Sequence, residues 1–184
     1  MASSARRFTI LDAMLLVAAV ASGMAVERAT DYDLHARLVR ARTRGGHIVA
    51  VLDYAQSKYL PFAMTGTIAL MASRLIPPHA SFPRLARQPG AVACFVAILT
   101  ISILAAWVAS VHLFGPDRYH RPFGLWGYCL YVSFAVISGW SCLALSGRWR
   151  AEPSWVDRAG RLMGMVWIGS LIIVFSREYF MAFL

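Results

Sequence analysis

Residues 91–114 read AVACFVAILTISILAAWVASVHLF, a run without a single Asp, Glu, Lys or Arg. Residues 123–147, FGLWGYCLYVSFAVISGWSCLALSG, carry none either. A hydrocarbon core of about 30 Å takes about 20 helical residues at 1.5 Å of rise each. Each stretch is long enough to cross, and only a helix satisfies its backbone polar groups within one segment in lipid. The fold class follows from these two runs: all-α, a polytopic transmembrane helix bundle.

Three neighbouring blocks extend the pattern. Residues 8–26 are apolar except for Asp12. Residues 59–73 are uncharged and lie between Lys58 and Arg74, two long side chains that snorkel toward opposite headgroup layers. Pro61 falls in the first turn of that expected helix, where a missing N–H costs least. Residues 162–184 are apolar except for Arg177 and Glu178, which reach the far interface after about 22 Å of rise. The expected spans are about 8–26, 59–76, 91–114, 123–147 and 162–183, five in one membrane domain of residues 1–184. Arg6-Arg7, the apolar run after them and Ala19-Val20-Ala21 loosely fit a signal peptide with an A-x-A site. Asp12 and the multispan body argue against cleavage, which would leave four spans.

Composition agrees with lipid as the solvent. The hydrophobic fraction is 59% and the charged fraction 15%, against about 45–50% and about 25% in soluble domains. A soluble enzyme, a disordered chain and a disulfide-stapled module are excluded. The net charge is +9, and every basic residue except Lys58 is arginine. These arginines crowd the loops, where lipid phosphates lie, and no soluble module remains to hold nucleic acid. Cys94, Cys129 and Cys142 all lie in apolar blocks and read as small hydrophobes rather than a disulfide framework or metal knuckle.

Helix starts are marked by three capping boxes of the form [ST]-x-x-[DE]: Thr9 to Asp12, Thr30 to Asp33 and Ser154 to Asp157. The second opens the polar segment 27–58, where a helix over 31–44 is expected to stop at Gly45-Gly46. Arg37, Arg40 and Arg44 share one face of it and Leu34 and Leu38 another, the pattern of a basic amphipathic helix against lipid or a partner. A solvated extension of the first membrane helix explains the segment equally well. Lys and Arg are divided evenly between the two sides, nine and nine. Four arginines before the last span against one near its end favour an inside N-terminus.

Ionisable groups at membrane depth are the first candidates for chemistry. Asp12 is a candidate polar intramembrane site, a proton or cation ligand, although its box also explains it as a cap. His112, Asp117 and His120 share a short region, yet two interfacial histidines beside Pro116 need no metal. The chain contains no H-E-x-x-H, G-x-S-x-G, G-x-x-x-x-G-K-[ST] or C-x-x-C. No catalytic residue, cofactor or metal is expected. Small residues instead form seams: Gly160 with Gly164, Ser138 with Cys142 and Ser146, Ser102 with Ala106 and Ser110, and Ala19 with Gly23. Such seams let helix backbones approach, within one bundle or between subunits.

RRFTILDAM at 6–14, RLARQPGAVAC at 84–94 and GRWRAEPSWVDRAGR at 147–161 together resemble a group of small multi-pass membrane proteins of planctomycete-type bacteria. The resemblance implies a bacterial inner-membrane setting and no activity. The expectation is thus a non-enzymatic membrane protein, an accessory or assembly subunit in contact with lipid, other membrane subunits or a second copy of itself. The alternative is a small transporter or channel, with Asp12, Thr65, Thr67 and Ser102 along a polar path.

Overall fold

The computed structural model describes residues 9–29, 44–75, 85–114 and 125–182. Five helices organise them: α1 (Ile10–Ala29), α2 (Arg44–Leu75), α3 (Pro89–Phe114), α4 (Leu125–Leu145) and α5 (Trp155–Ala182). Four of these, α1, α3, α4 and α5, are long and apolar enough to cross a membrane. The chain is an integral membrane protein built as an all-α bundle.

Helix α2 departs from the expected segmentation. The segment 27–58 is not a separate unit: residues 27–29 finish α1, and residues 44–58 form the first half of α2. Gly45-Gly46 opens this helix instead of closing an earlier one. The cost of glycine in a helix is conformational entropy and falls on the helix interior, so two glycines in a first turn are tolerated. Pro61 consequently lies mid-helix and not in a first turn. It has no N–H for the Ser57 carbonyl, while its own carbonyl accepts from Thr65 Oγ1 at 2.9 Å. Arg37, Arg40 and the second capping box lie outside the described residues, as does the side chain of Arg44.

The face of α2 that turns inward carries Asp53, Gln56, Leu60, Ala63, Thr67, Leu70 and Arg74. The steps of three and four residues make one stripe along a helix. The stripe is polar at both ends and in the middle, so an apolar pattern does not trace it.

The helices alternate in direction. On α1 and α2, Glu27 pairs with Lys58, and a Cβ on Gly23 would lie 2.8 Å from the Phe62 ring, which fixes an antiparallel register. α5 runs antiparallel to α2 and to α4, and parallel to α3. Leu60, Ala63, Ala93, Ala97, Cys129, Val132, Val136, Trp167 and Val174 form the apolar core between α2, α3, α4 and α5. α4 ends in a Schellman turn: Arg148 N–H donates to the Leu143 carbonyl and Gly147 N–H to that of Ala144, both at 3.1 Å. Gly147 takes the left-handed φ of +64° that this turn requires. The starts of α1, α3 and α5 and the ends of α2 and α4 therefore share one end of the bundle.

Candidate functional site

Asp157 organises that end. The third capping box forms by half: Ser154 Oγ accepts from the Asp157 N–H at 3.3 Å and so caps α5. The carboxylate turns away from Ser154. Its Oδ1 accepts from the Gly90 N–H at 3.0 Å, capping α3 from a neighbouring helix, and its Oδ2 accepts from the Glu152 N–H at 3.2 Å. This reach depends on backbone contact between α3 and α5. A Cβ on Gly160 would lie 2.6 Å from the Gly90 carbonyl oxygen, and one on Gly90 would overlap the Asp157 carbonyl.

Asp157 has no exposed surface, and two guanidinium groups face it. Arg74, 5% exposed, brings Nη2 to 3.4 Å from Oδ1 and donates through Nη1 to the Gln88 side-chain oxygen. Arg161, one turn along α5, holds Nε 3.3 Å from Oδ2. A buried carboxylate is costly unless it is paired and hydrogen-bonded, and here two backbone N–H donors and two guanidinium groups meet it.

A second polar cluster joins α2, α4 and α5 deeper in the bundle. Gln56 Nε2 donates to Cys129 Sγ at 3.1 Å, and the Tyr59 hydroxyl lies 3.6 Å from the same sulfur. Ser133 and Ser170 hold their hydroxyls 3.0 Å apart. Trp167 Nε1 donates to Thr67 Oγ1 at 3.1 Å. Thr67 and Ser170 donate to carbonyls one turn back, those of Ala63 and Trp167, each at 2.6 Å. The Cys129 thiol is thus surrounded by an amide and by hydroxyls, those of Tyr59 and Ser170. Hydrogen bonds of this kind hold helices together where lipid supplies no hydrophobic force.

At the opposite end, Arg177 Nε donates to Asp53 Oδ1 at 2.8 Å and Nη1 to Glu178 Oε1 at 2.7 Å. α2 and α5 are thus joined by two ion pairs of opposite polarity, Arg74 with Asp157 and Asp53 with Arg177. The pairs are separated by roughly 30 Å of rise on either helix, the thickness of a hydrocarbon core.

The residues singled out from sequence are distributed as follows. Asp12 closes its capping box: Oδ2 accepts from Thr9 N at 3.0 Å and from Thr9 Oγ1 at 2.8 Å, and its own N–H reaches Thr9 Oγ1 at 3.3 Å. Thr65 lies beside Gly23, about 16 Å further along α1. Thr67 sits against Trp167, and Ser102 is exposed on α3. The structure does not gather these four residues into one path. Gly160 and Gly164 pack inside the chain, Gly164 against Trp140 and Ala93. Ser138, Cys142 and Ser146 face outward, as do Ser102, Ala106 and Ser110. His112, Asp117 and His120 lie outside the described side chains. Among the described residues, no group of three or more His, Cys, Asp or Glu side chains is placed to hold a metal ion.

The junction of Arg74, Gln88, Asp157 and Arg161 and the pairing of Asp53 with Arg177 were not read from sequence. The available signal was charge: Asp53, Arg74, Asp157 and Arg177 lie inside or at the edge of otherwise apolar blocks, where a charge calls for a partner. Comparison of the chain with protein-family models, with curated proteins and with solved structures finds no match.

Proposed function

We propose that the chain is a five-pass protein of a bacterial inner membrane that works without catalysis as an accessory or assembly subunit, joined to other membrane subunits or to copies of itself. The fifth pass is α2, supported by the two ion pairs that bracket about 30 Å of it. The bacterial setting is supported by the resemblance carried at 6–14, 84–94 and 147–161. Arg74, Arg87, Arg148, Arg150, Arg158 and Arg161 gather at the end where α1 begins, which supports an inside N-terminus and an outside C-terminus.

The observation that carries the subunit reading is the division of the small residues. Ala19, Gly23, Gly160 and Gly164 are used in packing this chain on itself. The seams at Ser102, Ala106 and Ser110 on α3 and at Ser138 and Cys142 on α4, with Ser146 just past its end, face outward, and from Ser102 to Ser110 α3 buries no residue. Lipid tails need no small residues, whereas an approaching helix backbone does. Blue-native electrophoresis in mild detergent tests this reading. The protein is expected to migrate well above a 20.3 kDa monomer, and A106L with C142L is expected to shift it downward. A monomer under all mild conditions would remove the subunit reading.

A small transporter is the second reading, supported by the hydroxyl, amide and thiol cluster around Cys129 rather than by Asp12. Proteoliposomes distinguish the two. A solute or proton flux abolished by Q56L and unaffected by D12N would favour the transporter, and flux equal to that of protein-free vesicles would eliminate it.

A further inference from the structure

The end of the bundle around Asp157 carries an outer surface that helix packing does not use. The Arg150 N–H donates to the Arg87 carbonyl at 3.0 Å, tying the turn before α3 to the segment after α4. Arg87, Arg148, Arg150 and Arg158 are exposed on this tied surface, and none of them makes an ion pair with a described acid. Arg161 stands beside them, a third of its side chain exposed. Two acids lie nearby. Asp157 is buried against Arg74 and Arg161, and Glu152 alone cannot offset the remaining charge. The positive ends of the α3 and α5 dipoles point the same way.

The depth of this surface is set by aromatic residues. Trp149, 40% exposed, sits between Arg148 and Arg150 and meets Trp140 edge-on at 5.8 Å. Trp140 in turn donates its indole N–H to the Pro89 carbonyl at 2.9 Å. Tryptophans placed this way mark the headgroup level, so the neighbouring arginines lie in the phosphate layer. Leu145, three residues before Arg148, and Leu162, four residues after Arg158, are exposed apolar side chains on the helix side of them.

We infer that Arg87, Arg150, Arg158 and Arg161 form a binding surface for the phosphodiester of an anionic phospholipid. Guanidinium groups hold phosphate oxygens through paired N–H donors, and basic surfaces between membrane helices take anionic headgroups. A zwitterionic headgroup brings its own cation against the arginines. Inorganic phosphate offers the same oxygens but no acyl chains to lie on Leu145 and Leu162, which selects the lipid.

The test titrates the full chain in neutral detergent with phosphatidylglycerol, phosphatidylcholine and inorganic phosphate, counting bound molecules by native mass spectrometry. Phosphatidylglycerol is expected to bind saturably and at least about tenfold more tightly than phosphatidylcholine. R87Q/R150Q is expected to weaken it roughly thirtyfold without changing the melting temperature. If that variant melts early, R158Q serves in its place, with a loss of about fivefold. R28Q, at the opposite end, leaves binding unchanged. Equal binding of the two lipids, or an unaltered affinity in both arginine variants, overturns the inference. Displacement of phosphatidylglycerol by millimolar inorganic phosphate overturns it as well and reassigns the surface to a free anion.

Discussion

Gly90 and Gly160 meet across the α3–α5 contact, and what a methyl group would strike there is backbone, which cannot swing aside. G160A is expected to destabilise the protein by about 1–3 kcal/mol, the range for overpacking a tight contact. Thermal unfolding in detergent reads this directly. Gly169, with nothing within 4 Å of an added Cβ, is the control: G169A should be neutral or stabilise by up to about 1 kcal/mol through helix propensity. A G160A protein that melts like the parent would show that the two backbones do not touch. Asp157 offers a second prediction. D157N keeps an oxygen for the Gly90 N–H but leaves Arg74 and Arg161 facing a neutral amide. A loss of about 3–5 kcal/mol is expected, as for breaking a buried ion pair, and D157N/R74M should lose less than the two single changes together.

At the scale of the helix, α2 is where reading the sequence and seeing the structure diverge most. Its apolar stretch was legible at 59–73, as were both flanking charges. Its true start at Arg44 was not, because Asp53, Gln56 and Lys58 resemble a polar loop when their partners on other helices are unknown. Paired with Arg177, Cys129 and Glu27, the same residues are helix. If α2 crosses, positions beyond its two ion pairs lie in opposite aqueous phases. With Cys142 replaced by serine, V51C and L75C, both at exposed positions, are expected to react with a membrane-impermeant maleimide from opposite sides. Labelling of both from one side would show that α2 does not cross. Asp53 and Arg177 are each partly exposed, so their double-mutant coupling should be modest, on the order of 1 kcal/mol for D53N and R177Q.

For the molecule as a whole, the number of crossings fixes where the two ends of the chain lie. Five crossings separate them, and four would leave them together. Tags at Met1 and Leu184 should therefore be digested by protease from opposite sides of the membrane, the C-terminal tag from outside intact cells. Digestion of both tags from one side would contradict the five-pass reading without bearing on lipid or subunit binding.

The apolar runs at 91–114 and 123–147, the charges that interrupt the other blocks and the capping boxes at Thr9 and Ser154 were all readable along the chain. Solvent preference and helix caps are local properties: a side chain carries its transfer free energy wherever it goes, and a cap involves residues three apart. The sequence by itself therefore determined lipid as the solvent and helix as the conformation. Tertiary structure decided which buried polar group meets which. Asp157 stands three residues from Ser154 yet caps α3 through Gly90, and Arg74 reaches it across 83 positions of sequence. A charge in a low-dielectric interior requires an opposite charge or a hydrogen-bond donor, but nothing local specifies the helix that supplies it; packing does.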